Sequence, residues 1–215
     1  RVASRGLGDV YKRQGFTDAA TVATINGTAS EITTLLGNEG TSGNTVGLDG
    51  DFTISVNQGT ATVAQVNTMH AFSTTGEIIA SISNTDIAEL DDLTTASTDQ
   101  LTITVASTSA TAAQLTTVAG ATGLNVTATA VETVTGTATQ MDALLAVEGS
   151  TGDKVNLDAD YAITINSGPA TVTQANAYAT AAGVVTATIS DQTIAALDDL
   201  TTASTDQLTI TVAST

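Results

Sequence analysis

Cysteine is absent from this sequence, which excludes disulfides, thiolate zinc sites and cysteine nucleophiles. Tryptophan is also absent, and aromatics make up 3% of the chain, so any core is thin and built from Ala, Val, Ile and Leu. No run of about 18 apolar residues occurs, so no membrane-spanning helix is expected. Cations are nearly missing: five Lys and Arg stand against 22 Asp and Glu, a formal net charge of -17. Four of the five (Arg1, Arg5, Lys12 and Arg13) lie in residues 1–14, together with Asp9. The remainder carries Lys154 alone against 21 carboxylates, a net of -20. Such a body lacks the Lys and Arg clusters that hold nucleic acid or an anionic membrane. Self-repulsion keeps it soluble, and its field attracts cations.

The basic run "SRGLGDVYKRQ", Ser4 to Gln14, can be read as a tail with a glycine-rich hinge. It is also similar, over its whole length, to the in-frame translation of a transposase-type sequencing adapter. Residues 1–14 are therefore expected to be a non-native, disordered tail that takes no part in the fold. Its G-x-G is not taken as a phosphate loop.

What is present is repetition. "LDDLTTASTDQLTITVAST" occurs at Leu90 to Thr108 and again, unchanged, at Leu197 to Thr215. The segment from Gly27 to Asn67 aligns with Gly136 to Asn176. These copies divide the chain into residues 15–125 and 126–215. Inside each, short segments alternate with the strand period of two: "ATVATI" from Ala20, "FTISV" from Phe52, "IIASI" from Ile78, "LTITV" from Leu101, "VTATA" from Val126, "YAITI" from Tyr161, "VTATI" from Val185 and "LTITV" from Leu208. Most follow one another at a nearly constant interval, in the twenties; wider gaps hold the loops Gly37 to Gly50 and Glu148 to Ala159.

Between the strands sit helical phrases with Thr followed three positions later by Glu or Gln: Thr28/Glu31, Thr62/Gln65, Thr111/Gln114, Thr137/Gln140 and Thr171/Gln174. That spacing is a capping box, in which two side chains satisfy amides left free at a helix start. "DIAELDDL" and "TIAALDDL" keep the helical spacing without the box. Helices of two or three turns are marginal alone and need a sheet to pack on.

Strand and short helix at this period predict an α/β repeat: a right-handed solenoid of parallel strands, about eight rungs spanning roughly 34 Å. Leu101, Ile103, Val105 and their equivalents face the helices, leaving one open sheet face rich in Thr and Ser. The phrases "GTATVAQVNTM", "GVVTATISDQTIAAL" and "AVETVTGTATQMDALL" resemble the Thr- and Ala-rich strand–helix repeats of very large secreted or surface proteins of marine bacteria, cyanobacteria included. The resemblance covers residues 20 to 215. It implies an extracellular or cell-surface location and a structural or adhesive role, with neighbouring repeats as partners.

The candidate ligand face is a two-column hydroxyl ladder: Thr53 and Ser55, Thr102 and Thr104, Thr127 and Thr129, Thr186 and Thr188, Thr209 and Thr211. Ile79 and Ala162 interrupt it. Threonine is a good strand former that solvates a face, which is one reading. A glycan or other surface ligand is a second, and ice, which such a spacing resembles, a third. The doublets Asp49/Asp51 and Asp158/Asp160 are weak candidate Ca²⁺ ligands: turn formation is the favoured role, and the full D-x-D-x-D-G pattern is missing. His70 is the only histidine, and Ala179 replaces it in the second copy. No nucleophile elbow, P-loop or dinucleotide fingerprint occurs, so no catalysis is expected. Copy one continues past Thr108 with "SATAAQLTTVAG"; copy two stops at that point, which predicts an exposed apolar end at Leu208 to Val212 and end-to-end association.

Overall fold

A computed structural model of the chain describes residues 22–38, 48, 50–148 and 154–213. The proposed tail at residues 1–14 lies outside them. The described residues form eleven strands and seven helices: β1 (Thr24–Thr28), α1 (Ala29–Leu36), β2 (Thr53–Gln58), α2 (Val63–Phe72), β3 (Ile78–Ser81), α3 (Ile87–Leu90), β4 (Gln100–Thr102), β5 (Ser109–Thr111), α4 (Ala112–Gly120), β6 (Val126–Ala128), β7 (Thr133–Thr137), α5 (Ala138–Leu145), β8 (Val155–Leu157), β9 (Ala162–Ser167), α6 (Val172–Ala181), β10 (Val184–Thr188), α7 (Ile194–Leu197) and β11 (Gln207–Thr209).

All pairing between these strands is parallel. One sheet runs β1-β2-β3-β4, a second β11-β10-β9-β7-β5, and a pair joins β6 to β8. A bridge between Thr104 and Thr127 continues β4 into β6, with Val105 N donating to Thr127 O at 2.8 Å. None of these sheets closes into a barrel. The protein is thus α/β with parallel strands in several sheets, where the sequence suggested one open face. The additional strands β5 and β7 have a local cause. Each runs straight into a helix whose N-cap Thr must hold extended backbone (Thr111 φ -92°, ψ 150°; Thr137 φ -78°, ψ 162°), so the approach to the cap is already a strand.

All five expected capping boxes close, at Thr28, Thr62, Thr111, Thr137 and Thr171. The helices they start are 8 to 10 residues long. The two without a box, α3 and α7, are only 4 residues long and carry Asp86 and Thr193 as caps. Asp91 and Asp198 close those short helices at their C-terminal ends.

The core lies between sheets and helices. Ile25, Ile54, Ile78, Leu101, Ile103, Val126, Val134 and Ile163 are buried beneath Ile32, Leu36, Val66, Met69, Leu115, Met141 and Leu144. Helix α1 packs on α2, α3 on α4, α4 on α5 and α5 on α6. After β2 and β9, Gly59 and Gly168 take φ of 77° and 72°, the only positive values among the described residues. They turn the chain out of the strand toward Ala61 and Ala170, which bridge to Ile82 and Ile189.

Candidate functional site

The hydroxyl ladder keeps its parity and loses its register. Thr102, Thr104, Thr127, Thr129, Thr188, Thr209 and Thr211 are exposed, while Thr53, Ser55 and Thr186 are half-buried. Aligning the repeated strands by sequence sets Thr53 beside Ile79 and Thr102 beside Thr127. In the structure Ser55 pairs with Ile79, Ile79 with Gln100, Ser81 with Thr102 and Thr104 with Thr127. Thr186 faces Gln207, and Thr188 faces Thr209. Each rung is therefore staggered by two positions. A slip of two leaves the same side chains facing the core, as in Ile54 with Ile78 and Ala80 with Leu101, so burial does not oppose it. The candidates are also split: Thr53, Ser55, Thr102, Thr104 and Thr127 belong to the ladder containing β1 to β4, and Thr186, Thr188 and Thr209 to the one containing β9 to β11. Thr129 lies just past β6 and Thr211 just past β11. The columns mix Thr with Asn, Ile, Gln and Val. The longest all-threonine column, Thr111–Thr135–Thr164–Thr186, holds just one of the candidates, Thr186, and Thr111 uses its hydroxyl in the α4 cap.

Asp51, Asp158 and Asp160 are exposed, and Asp49 lies outside the described residues. Asp158 accepts from the amide of Ala159 at 2.8 Å, a turn contact. Among the described residues no three His, Asp or Glu side chains gather into a possible metal site.

Polar side chains instead bond the backbone of the neighbouring strand–helix segment, and most do so twice, once per copy. Asn67 donates to Asp92 O (2.7 Å) and accepts from Thr94 N (2.9 Å). Asn176 makes the same pair of bonds to Asp199 O and Thr201 N, both at 2.8 Å. Asn84 accepts from Val63 N at 3.0 Å, and Asp191 from Val172 N at 2.7 Å. Asp99, fully buried, accepts from Ile78 N (2.8 Å) and Ala96 N (2.9 Å); Asp206 accepts from Val185 N (2.8 Å) and Ala203 N (2.7 Å). Motif and period point to none of Asn67, Asn176, Asp99 and Asp206. Their signal in the sequence is identity between copies at polar positions off the strand and helix patterns.

Two more buried hydroxyls continue this work. Thr122 Oγ1 accepts from Leu101 N and donates to Leu101 O, both at 2.9 Å. Ser73 donates to Phe52 O. His70 sits beside this network, its Nδ1 3.4 Å from Asp99 Oδ2 without hydrogen-bond alignment. Lys154 Nζ donates to the carbonyls of Thr122 (3.2 Å) and Gly123 (3.3 Å), so the one Lys or Arg among the described residues ties a turn.

Tyr178 donates its hydroxyl to Asp142 Oδ1 (2.8 Å) or Ala138 O (2.9 Å), and Gln174 donates to Asp142 Oδ2 (2.7 Å), joining α6 to α5. Burial, and then the Asp142 carboxylate, push the Tyr178 phenol well above its usual range. Burial, and then Glu148, do the same to Tyr161. Near Glu148 an open cleft of about 490 Å³ is lined by Leu145, Val155, Leu157, Ala177 and Ala181. No described helix is long and apolar enough to cross a membrane. The chain matches no family model, no curated protein and no solved structure.

Proposed function

We propose that this chain is a structural or adhesive repeat segment of a large secreted or cell-surface protein, without catalysis of its own. Its partners are neighbouring repeats. In this reading the chain is a right-handed solenoid. Taking β4 with β5, β6 with β7 and β8 with β9 as one turn each gives eight turns. The observation that carries the reading is the recurrence of the Asn67 and Asp99 bonds at Asn176 and Asp206. Both copies use these half-buried or buried polar groups to bond one strand–helix unit to the next, the nearest-neighbour bonding on which a repeat array depends.

Force spectroscopy tests this. A cantilever carrying the chain is pressed on a glycan-coated surface and withdrawn. Stepwise extension in increments of roughly 80 Å, one rung each, or retention on the surface, is expected. A single all-or-none release with no surface retention overturns it. The ice reading gains nothing from the staggered, mixed columns, and the Ca²⁺ reading nothing from the exposed Asp158 and Asp160.

A further inference from the structure

One phrase, Leu90 to Thr108 repeated at Leu197 to Thr215, occurs here in two environments. In copy one, Leu101, Ile103 and Val105 are 0%, 1% and 1% exposed. Their identical counterparts in copy two are half-exposed at Leu208, and 43% and 54% exposed at Ile210 and Val212. Ile87, at the start of α3, is 5% exposed, against 74% for Ile194 at the start of α7. Sequence cannot explain the contrast within the repeated phrase. The cause is what lies next to it.

In copy one the next rung is β5, α4 and β6. Helix α4 packs on α3. Thr122 takes both backbone groups of Leu101, Thr127 O accepts from Val105 N, and Ala121 O accepts from Thr95 Oγ1 at 2.7 Å. In copy two, β11 is the last strand of its sheet, and among the described residues nothing occupies that position.

We infer that the face formed by Ile194, Leu208, Ile210 and Val212 is a docking surface for one further strand–helix rung with the chemistry of Ser109 to Val131. The occupant is named by the chain itself, because the identical apolar strand of the first copy already accepts that segment. It must bring a hydroxyl at the place of Thr122, a free carbonyl edge at the place of Thr127, and apolar side chains at the places of Leu115 and Val126. The inference rests on the reading of the chain as a repeat segment only for the source of that rung.

The experiment compares three proteins: the full chain, the chain followed by a second Ser109–Val131 segment, and the same extension carrying Leu115→Asp and Val126→Asp in the added rung only. Amide exchange at Leu208 to Val212 is the readout, with melting and light scattering. The unmodified rung should slow exchange there at least about tenfold and raise the Tm by about 5 °C. The Asp-bearing rung should do neither. Equal exchange in all three overturns the inference. Concentration-dependent protection in the unextended chain also overturns it, and names a second copy as the occupant. Both outcomes leave the force measurement untouched, so failure of the docking surface and failure of the adhesive or structural reading are separable.

Discussion

In both copies of the phrase TTASTDQL the aspartate turns its carboxylate onto two backbone amides, one on the preceding strand and one three positions back. Asp99 does so fully buried, and Asp206 half-exposed. A buried amide that loses its partner bears the full desolvation penalty, while an exposed one turns to water. Asp99→Ala should therefore cost about 3 kcal/mol, and Asp206→Ala about 1 kcal/mol, in chemical denaturation. Equal losses would mean that burial does not set the value of this contact. The tyrosines make a pH prediction. Burial keeps the Tyr161 and Tyr178 phenols neutral in the fold, raising both above the unfolded value near 10. The stability this contributes is fully present below pH ~10 and is lost as the pH rises beyond it, because the unfolded chain gives up those protons first. Alkaline denaturation should begin above about pH 10, and Tyr161→Phe with Tyr178→Phe should remove most of that slope. Tyr178→Phe alone should cost about 1 kcal/mol at neutral pH through its hydroxyl bonds.

Among the elements, the helices were the most legible. A Thr and a Glu or Gln three apart define a local contact, and local contacts do not depend on the rest of the chain. The five boxes accordingly formed where the spacing put them. Strand faces were also legible, since Ile54, Leu101, Ile163 and Val185 are buried as the alternation required. Strand neighbours were not, because partners in a parallel ladder are separated by a whole rung of chain and a slip of two positions preserves the faces. The repeated strand offers a direct measurement. Leu101→Ala should cost about 2–5 kcal/mol, the range for a filled core position. Leu208→Ala, in the same local sequence but partly open to solvent, should cost less than half of that by the same measurement.

For the whole molecule, charge is the dominant fact. Twenty-two carboxylates and five cations share one chain, and Lys154 is the only Lys or Arg after Arg13. Lys154 Nζ donates to two backbone carbonyls, and His70 Nδ1 lies 3.4 Å from Asp99 Oδ2. Self-repulsion therefore opposes compaction with little local compensation. Raising NaCl from about 10 to about 150 mM, which shortens the screening length to ~8 Å, should raise the Tm. A flat or falling Tm would show that the carboxylates lie too far apart to repel.

The sequence by itself determined the class of structure: parallel-compatible strands and short capped helices in two unequal copies, with a core built mostly from Ala, Val, Ile and Leu. Those features follow from period, cap chemistry and composition, all of which act over short stretches of chain. Tertiary structure alone decided which strands pair, how far each rung slips, and that the threonines divide between separate ladders. It also decided that Asp99, Asn67 and Thr122 bond the backbone of neighbouring strand–helix segments, and that one repeated phrase is core in its first occurrence and surface in its second. The physical reason is shared: pairing, burial and desolvation depend on what stands next to a residue in space, and identical residues take different values when that neighbour differs.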